Sequence, residues 1–352
     1  MIKRILIAAL IINIIFPFSV KTFALPELSV SAKSAVLIEA ETGKVIYSKN
    51  PDQRLPMAST TKIMTALVVL ENADLDHEFK VSKIAVGCEG TSAYLCENDH
   101  LTISSALHAL LLQSANDAAM ALAIEVAGNI ENFVDLMNNK AKEIGLSNTN
   151  FMNPSGLPAE GHYTSARDLA NLSAIALENP EFAKIVKTKS ATVKINDTDR
   201  TFINHNKLLS LYDGAVGVKT GFTKESGRCL VGAAERDGVR LITVTLSASN
   251  DWNDHKNMFD LGFSRLKSYN LYSQNEFIIE IPLIGTNSYI SASPKGDKSI
   301  SLPKGTKITV RIERTSLLQH PFKKGDVVGH AVFFSDGKEL CRTPLCALNS
   351  SN

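Results

Sequence analysis

Apolar residues recur along this chain at two spacings, one helical and one alternating. The run Ala58-Ser59-Thr60-Thr61-Lys62-Ile63-Met64-Thr65-Ala66-Leu67-Val68-Val69-Leu70 follows Pro56 and is apolar on nearly every side once past Lys62. Proline ahead of a first turn, then an all-round apolar surface, predicts the start of a core helix. Helical spacing returns over Thr102–Gln113 through Leu107, Leu110 and Leu111, breaks at Ser114-Ala115-Asn116, and resumes over Asp117–Ala127. Further helices are predicted over Asn132–Glu143, from Asp168 to near Leu177, and over Asn257–Lys267.

Alternation predicts strands. Ala35–Glu39 and Lys44–Tyr47 flank Thr42-Gly43 as a hairpin, and Cys229–Glu235 and Val239–Ser247 flank Asp237-Gly238, a strong two-residue turn signal. Gly214–Thr223 alternates glycine and valine, so something approaches this strand closely and Gly221 leaves room for it. Asp74–His100 reads as loops and short elements, and Glu178 onward as a polar stretch. Strands at both ends with helices between imply an antiparallel sheet backed by a helical cluster, an α+β layout. Beyond Tyr272 short alternating runs at Glu276–Ile281, Ser288–Ser291, Lys307–Glu313 and Val327–Phe334 predict a small all-β domain.

Composition narrows the setting. A formal net charge of +1 over 352 residues gives no reason to expect a nucleic-acid partner, and 44% hydrophobic residues supply a substantial core. Lys3 and Arg4 before the apolar run Ile5–Phe18, with Thr22-Phe23-Ala24 behind, form a secretory signal over residues 1–24, and the run is short for a membrane span. The protein is therefore expected to be exported. Export makes bridges Cys88–Cys96 and Cys341–Cys346 conceivable, with Cys229 left in an apolar strand, and no cysteine has zinc-site spacing.

The chemistry begins with Ser59 and Lys62, which share a helix face three residues apart. A serine needs a base, and a lysine becomes one when burial and the positive helix end lower its pKa. The same helix end offers N–H groups to an oxyanion. Each signal has a bland reading: Ser59 as a cap, Ser114 and Asn116 as caps of the next helix, Lys219 as a solvated strand charge, His162 as a structural loop histidine.

Taken in order, however, Ser59-Thr60-Thr61-Lys62, Ser114-Ala115-Asn116 and Lys219-Thr220-Gly221 match the trio of penicillin-binding proteins and class A β-lactamases. Together with Phe151–Leu157, Gly161–Leu169, Asn206-Lys207-Leu208-Leu209 and Val218–Leu230, they resemble the low-molecular-mass D-alanyl-D-alanine carboxypeptidases across nearly all of the mature chain. The resemblance implies a catalytic domain over 25–272 with the penicillin-binding/β-lactamase-like transpeptidase fold, a β domain over 273–346 and a tail over 347–352. It implies no cofactor. It also implies that Ser59 is acylated by the penultimate D-alanine of a peptidoglycan stem peptide, and that β-lactam antibiotics inhibit covalently. Lys62 would be the general base and Ser114 the proton relay to the leaving amine. Asn116 would hold the substrate amide, Lys219 would organise the site, Thr220 would receive the carboxylate, and the N–H groups of Ser59 and Phe222 would form the oxyanion hole beside Gly221.

Two departures bear on this. Ala115 stands where the family often has glycine, and no basic amphipathic helix is visible over Leu345–Asn352, so no C-terminal membrane anchor is expected. A β-lactamase would need a deacylating glutamate, and no Glu-x-x-Leu-Asn pattern separates the second and third motifs. A non-catalytic cell-wall scaffold would have no physical reason to keep a buried amine at Lys62.

Overall fold

The computed structural model describes residues 28–274, 276–282, 289–314 and 322–350, so the predicted leader over 1–24 lies outside the described residues. In chain order the first region contains β1 (Ser34–Glu39), β2 (Val45–Lys49), α1 (Lys62–Asn72), β3 (Glu78–Lys80), β4 (His100–Thr102), α2 (Ile103–His108), α3 (Asn116–Ala127), α4 (Ile130–Glu143) and α5 (Ala166–Glu178). It continues with α6 (Pro180–Lys187), β5 (Ser190–Ile195), β6 (Thr198–Ile203), α7 (Leu208–Leu211), β7 (Ala215–Thr223), β8 (Gly227–Arg236), β9 (Val239–Ala248) and α8 (Asp251–Arg265).

An antiparallel sheet of order β2-β1-β9-β8-β7 divides this region. Successive strand residues point to opposite faces, and here both faces are covered, so β1 is buried along its whole length. Val36, Ile38, Val231, Ala233, Ile242 and Val244 pack into the helical cluster around α1 and α3. Their neighbours Ala35, Leu37, Leu230, Ala234 and Leu241 pack against Met258 and Phe259 of α8. The α+β sheet-and-cluster layout holds, with α8 as a third layer. Asp237 (φ 48°) and Gly238 (φ 73°) make the tight turn between β8 and β9, the two left-handed residues a primed hairpin turn requires.

Two expectations are corrected, and the question of cysteine bridges, open in the sequence, is answered. α8 begins at Asp251, six residues before the predicted Asn257, and Lys267 already belongs to the next strand. Its first turn is polar and hides no periodicity, but Asp251 and Asp254 suit a helix N-terminus. The polar stretch after Glu178 contains α6, capped by Asn179 with Pro180 in the first turn, and the β5–β6 hairpin. All five cysteines are unbridged. Cys341 and Cys346 lie five residues apart on one extended strand, which sets them roughly 16 Å apart and on opposite faces.

The C-terminal region is all β: β10 (Leu266–Tyr272), β11 (Ile279–Pro282), β12 (Tyr289–Pro294), β13 (Lys298–Pro303), β14 (Thr309–Arg314), β15 (Val327–Ser335) and β16 (Lys338–Ala347). β10 pairs with β13, and β11-β12-β16-β15-β14 form a second sheet around a core of its own that includes Ile281, Ile290, Val328, Phe333 and Leu345.

Candidate active site

Ser59 sits in a 3-10 turn, Ala58–Thr61, that runs into α1. The two threonines tie this turn to the backbone before it. Thr60 Oγ1 donates to Met57 O (2.6 Å) and Thr61 Oγ1 to Ala58 O (2.8 Å). Ala58 adopts φ 46°, a left-handed conformation worth roughly 1–2 kcal/mol of strain for a residue with a Cβ. Gly156 presses on it so closely that a Cβ there would lie 2.0 Å from Ala58 O. His162 completes the clamp: Nδ1 accepts the Met152 N–H (3.0 Å), so its proton is on Nε2, which donates to Thr61 Oγ1 (2.8 Å). Burial, then the charge of Lys62, lowers its pKa to about 4, which keeps the ring neutral. His162 is structural, as the bland reading expected.

The Lys62 amine lies 3.0 Å from Ser59 Oγ, 2.7 Å from Asn116 Oδ1 and 2.5 Å from Ser155 O. The amide orientation of Asn116 is set by Nδ2, which donates to Glu89 O at 2.6 Å. Lys62 is wholly buried, and its pKa falls well below that of an ordinary lysine, first through desolvation and then through Lys219, against an opposing pull from Asp117. A neutral amine has two hydrogens and one lone pair. Asn116 Oδ1 and Ser155 O can only accept, so they take the hydrogens and leave the lone pair to the Ser59 hydroxyl. This geometry can remove a proton from Ser59.

A second amine faces the same cleft from the sheet. Lys219, 1% exposed on β7, donates to Ser114 Oγ (2.9 Å) and to Thr220 O (3.0 Å). Burial lowers its pKa to about 7. Ser114 is itself left-handed (φ 65°), placed between the end of α2's continuation and α3. Ala115, not Ser114 or Asn116, is the N-cap of α3 and makes no side-chain cap bond, so neither polar residue is spent on capping. β7 is the edge strand, and at Gly221 a Cβ would meet Ser59 N at 3.0 Å and Met57 O at 3.1 Å. The Ser59 N–H has no acceptor among the described residues. Ser59, Ser114, Thr220, Gly221 and Phe222 line one cavity of about 420 Å³, the Phe222 side chain standing 67% exposed at its rim. All eight residues singled out in the sequence thus converge at one cleft between the α1 turn and the sheet edge.

Sequence reading missed several neighbours. Asp117 is buried and its carboxylate gathers the N–H groups of Ala93 and Leu95 and the Ser92 hydroxyl, holding the 86–98 loop over the cleft. Its position beside Asn116 was the available signal. Ser155 contributes a carbonyl, which no side-chain pattern reveals. Thr91, His205, Arg228, Asp251 and Trp252 also line the cavity.

Residues 20–250 match the D-alanyl-D-alanine carboxypeptidase family, and residues 267–352 match the C-terminal domain of penicillin-binding protein 5. The chain is 35% identical to D-alanyl-D-alanine carboxypeptidase DacF of Bacillus subtilis (strain 168) over 98% of its own length and 94% of the relative's. It is 32% identical to D-alanyl-D-alanine carboxypeptidase DacC of Escherichia coli (strain K12), covering 92% of this chain and 84% of that one. Its fold superposes on penicillin binding protein 5 from Haemophilus influenzae with a TM-score of 0.72 at 29% identity, spanning 93% of this chain and all of that one (100%). A Ser59–Lys62 pair on a core helix, a second lysine on the facing strand edge and these matches converge on one assignment: the chain belongs to the D-alanyl-D-alanine carboxypeptidase family of penicillin-binding proteins.

Proposed function

We propose that this protein is a serine-type carboxypeptidase that removes the terminal D-alanine from peptidoglycan stem pentapeptides. The observation that carries it is the buried Lys62 amine, 3.0 Å from Ser59 Oγ and held by two obligate acceptors that, in its neutral form, leave the lone pair to the serine. Ser59 Oγ attacks the penultimate D-alanine carbonyl as its proton passes to Lys62, and the N–H groups of Ser59 and Phe222 receive the oxyanion. Such preorganised donors contribute about 3–4 kcal/mol to the transition state. As the C–N bond breaks, Ser114, bonded to Lys219, hands its proton to the leaving amine and takes up in its place the proton that Lys62 removed from Ser59, which leaves Lys62 neutral again. Water, deprotonated by Lys62, then cleaves the ester, and that proton returns to Ser59 Oγ as it departs. Asn116 both orients Lys62 and offers its amide edge to the substrate, while Thr220 receives the carboxylate.

The same acylation by a β-lactam would leave a long-lived adduct on Ser59. The leader pattern over residues 1–24 supports export, and among the described residues no helix is long and apolar enough to cross a membrane. The catalytic domain expected over 25–272 and the β domain expected over 273–346 would divide earlier, near residue 266, because β10 pairs with β13. Two measurements test the reading: D-alanine release from a pentapeptide, and mass spectrometry of protein treated with benzylpenicillin. Release lost in Ser59→Ala, with the penicilloyl mass on the Ser59 peptide, is the expected result; label on another residue, or no release by the unaltered protein, would sink it.

A further inference from the structure

A second pocket, of about 310 Å³, opens at the base of the β5–β6 hairpin against α7. The turn over residues 204–207 stands between it and the Ser59 cavity: His205 lines the latter, while Asn204, Asn206 and Lys207 line the former. Its walls are fixed by backbone contacts. Asn204 Nδ2 donates to Thr188 O (2.9 Å) and Val186 O (3.2 Å), and the Asn204 N–H to Lys189 O (2.8 Å). Asn206 is 3% exposed, and its Oδ1 accepts the Leu208 N–H (3.1 Å), which sets the orientation of the amide. Its Nδ2 is therefore a donor, and among the described residues it is the one buried side-chain nitrogen or oxygen without a hydrogen-bond partner. The Asn206-Lys207-Leu208-Leu209 stretch carries part of the family resemblance, yet the chemistry above makes no use of it.

The lining combines two kinds of group. Ile203 stands 64% exposed and Leu211 50%, with Leu209 beside them, so the pocket has an apolar floor that the fold itself does not cover. Lys189 and Lys207 are exposed at its edge, neither is in an ion pair among the described residues, and no carboxylate lines the pocket. Two uncompensated ammonium groups over a small apolar floor suit an anion whose body carries short alkyl groups. The hollow shape favours a compact chain end, whereas a lipid surface is met by protruding side chains.

We propose that this pocket binds the carboxylate end of a second stem peptide on the same peptidoglycan polymer, and so holds the polymer to the enzyme while Ser59 works on a neighbouring peptide. The proposal rests on the carboxypeptidase reading and goes beyond it. A stem peptide that ends in D-alanine brings a methyl group for the floor and a free carboxylate for Lys189 and Lys207. Its oxygens are acceptors, which a wall with two ammonium groups and an unspent amide N–H lacks. Because both peptides belong to one polymer, the second contact is intramolecular and raises affinity without altering the Ser59 cavity. A soluble peptide can fill only one of the two sites at a time.

The test uses the full exported chain, purified peptidoglycan that carries pentapeptides, and a soluble N-acylated tripeptide ending in D-Ala-D-Ala. Lys189→Gln combined with Lys207→Gln is expected to raise the apparent KM for the polymer roughly 10-fold, the worth of two exposed ion pairs, while the soluble peptide is hydrolysed as by the parent. Ile203→Ser combined with Leu211→Ser should act in the same direction. Lys304→Gln combined with Lys307→Gln removes the same charge from the exposed surface of the β domain and should leave both substrates at parental values. Equal losses on both substrates, a polymer loss matched by the Lys304 and Lys307 control, or parental polymer hydrolysis with binding to anionic phospholipid vesicles lost instead, would overturn the assignment. Cosedimentation with the purified peptidoglycan reads the site without turnover, and the Lys189 and Lys207 changes should raise its Kd by a similar factor. A parent protein that binds the polymer in this lysine-dependent way, yet releases no D-alanine and takes no penicillin label, would overturn the carboxypeptidase reading alone.

Discussion

Lys62 and Lys219 are the residues on which chemistry and stability pull in opposite directions. Each is buried, and each holds a pKa below the ordinary lysine value of 10.5, Lys219 at about 7. The folded state therefore binds fewer protons than the unfolded chain between about pH 7 and 10.5, and folding stability rises with pH across that window. Replacing Lys219 by Met should remove that penalty. Its Tm is expected to exceed the parent's, with a difference that widens as pH falls from 10 to 7 and then levels, while penicillin labelling collapses; a lower Tm at pH 7 would count against a desolvated amine. For Lys62, acylation requires the neutral form, so the rate of labelling should climb with pH along an acid limb far below 10.5. Lys62→Ala should abolish labelling at every pH with circular dichroism unchanged. The spacing of Ser59 and Lys62 was legible in the sequence because i and i+3 on a helix are neighbours. The roles of Ser155 O and His162 were not, since a carbonyl has no side-chain signature and a loop histidine has no fixed partner until the loop is placed.

The turn that carries Ser59 is held from outside itself. Ala58 keeps its left-handed φ because the 151–157 loop leaves no room for another arrangement, with Gly156 (φ 88°) pressed against the Ala58 carbonyl. Gly156→Ala would place a Cβ 2.0 Å from that oxygen and strain its own backbone. Overlap of this size against backbone is expected to lower stability by about 2–4 kcal/mol and the acylation rate at least ten-fold, read by denaturant titration and stopped-flow labelling; a variant of parental stability would disprove the clamp. Helices with one apolar stripe, α4 and α5, were legible from periodicity alone. α6 escaped because it is short, although Asn179-Pro180 marked its start, and the β5–β6 hairpin escaped because β6 is polar up to Phe202, although β5 alternates Ala191, Val193 and Ile195 with Ser190, Thr192 and Lys194. α8 began earlier than expected because His255 is buried by tertiary contacts, its ring held between Thr243 and Thr245 and its pKa lowered to about 3 by burial. A histidine in a polar run shows nothing of this.

In the whole molecule the catalytic sheet has a core on each face and the C-terminal strands have their own. The ion pair of Lys298 with Glu41 links the two regions near the surface, where such a pair contributes at most about 1 kcal/mol. Calorimetry should accordingly resolve two transitions, and benzylpenicillin should raise only the one belonging to the region with Ser59. A single transition that shifts as a unit would show that the cores unfold together.

The sequence by itself determined the order of the three motifs, the hydroxyl–amine pair on one helix face, and the α+β sheet with a β domain behind it, because these follow from local periodicity and from chain order. Only the tertiary structure decided that Lys219 meets Ser114, that Gly221 passes within contact of the Ser59 backbone, and that Arg228 shares their cavity. Those contacts join residues some 100 or more positions apart, and their energetics come from burial, which no single segment contains: an amine loses its proton only where the rest of the fold has excluded water from it.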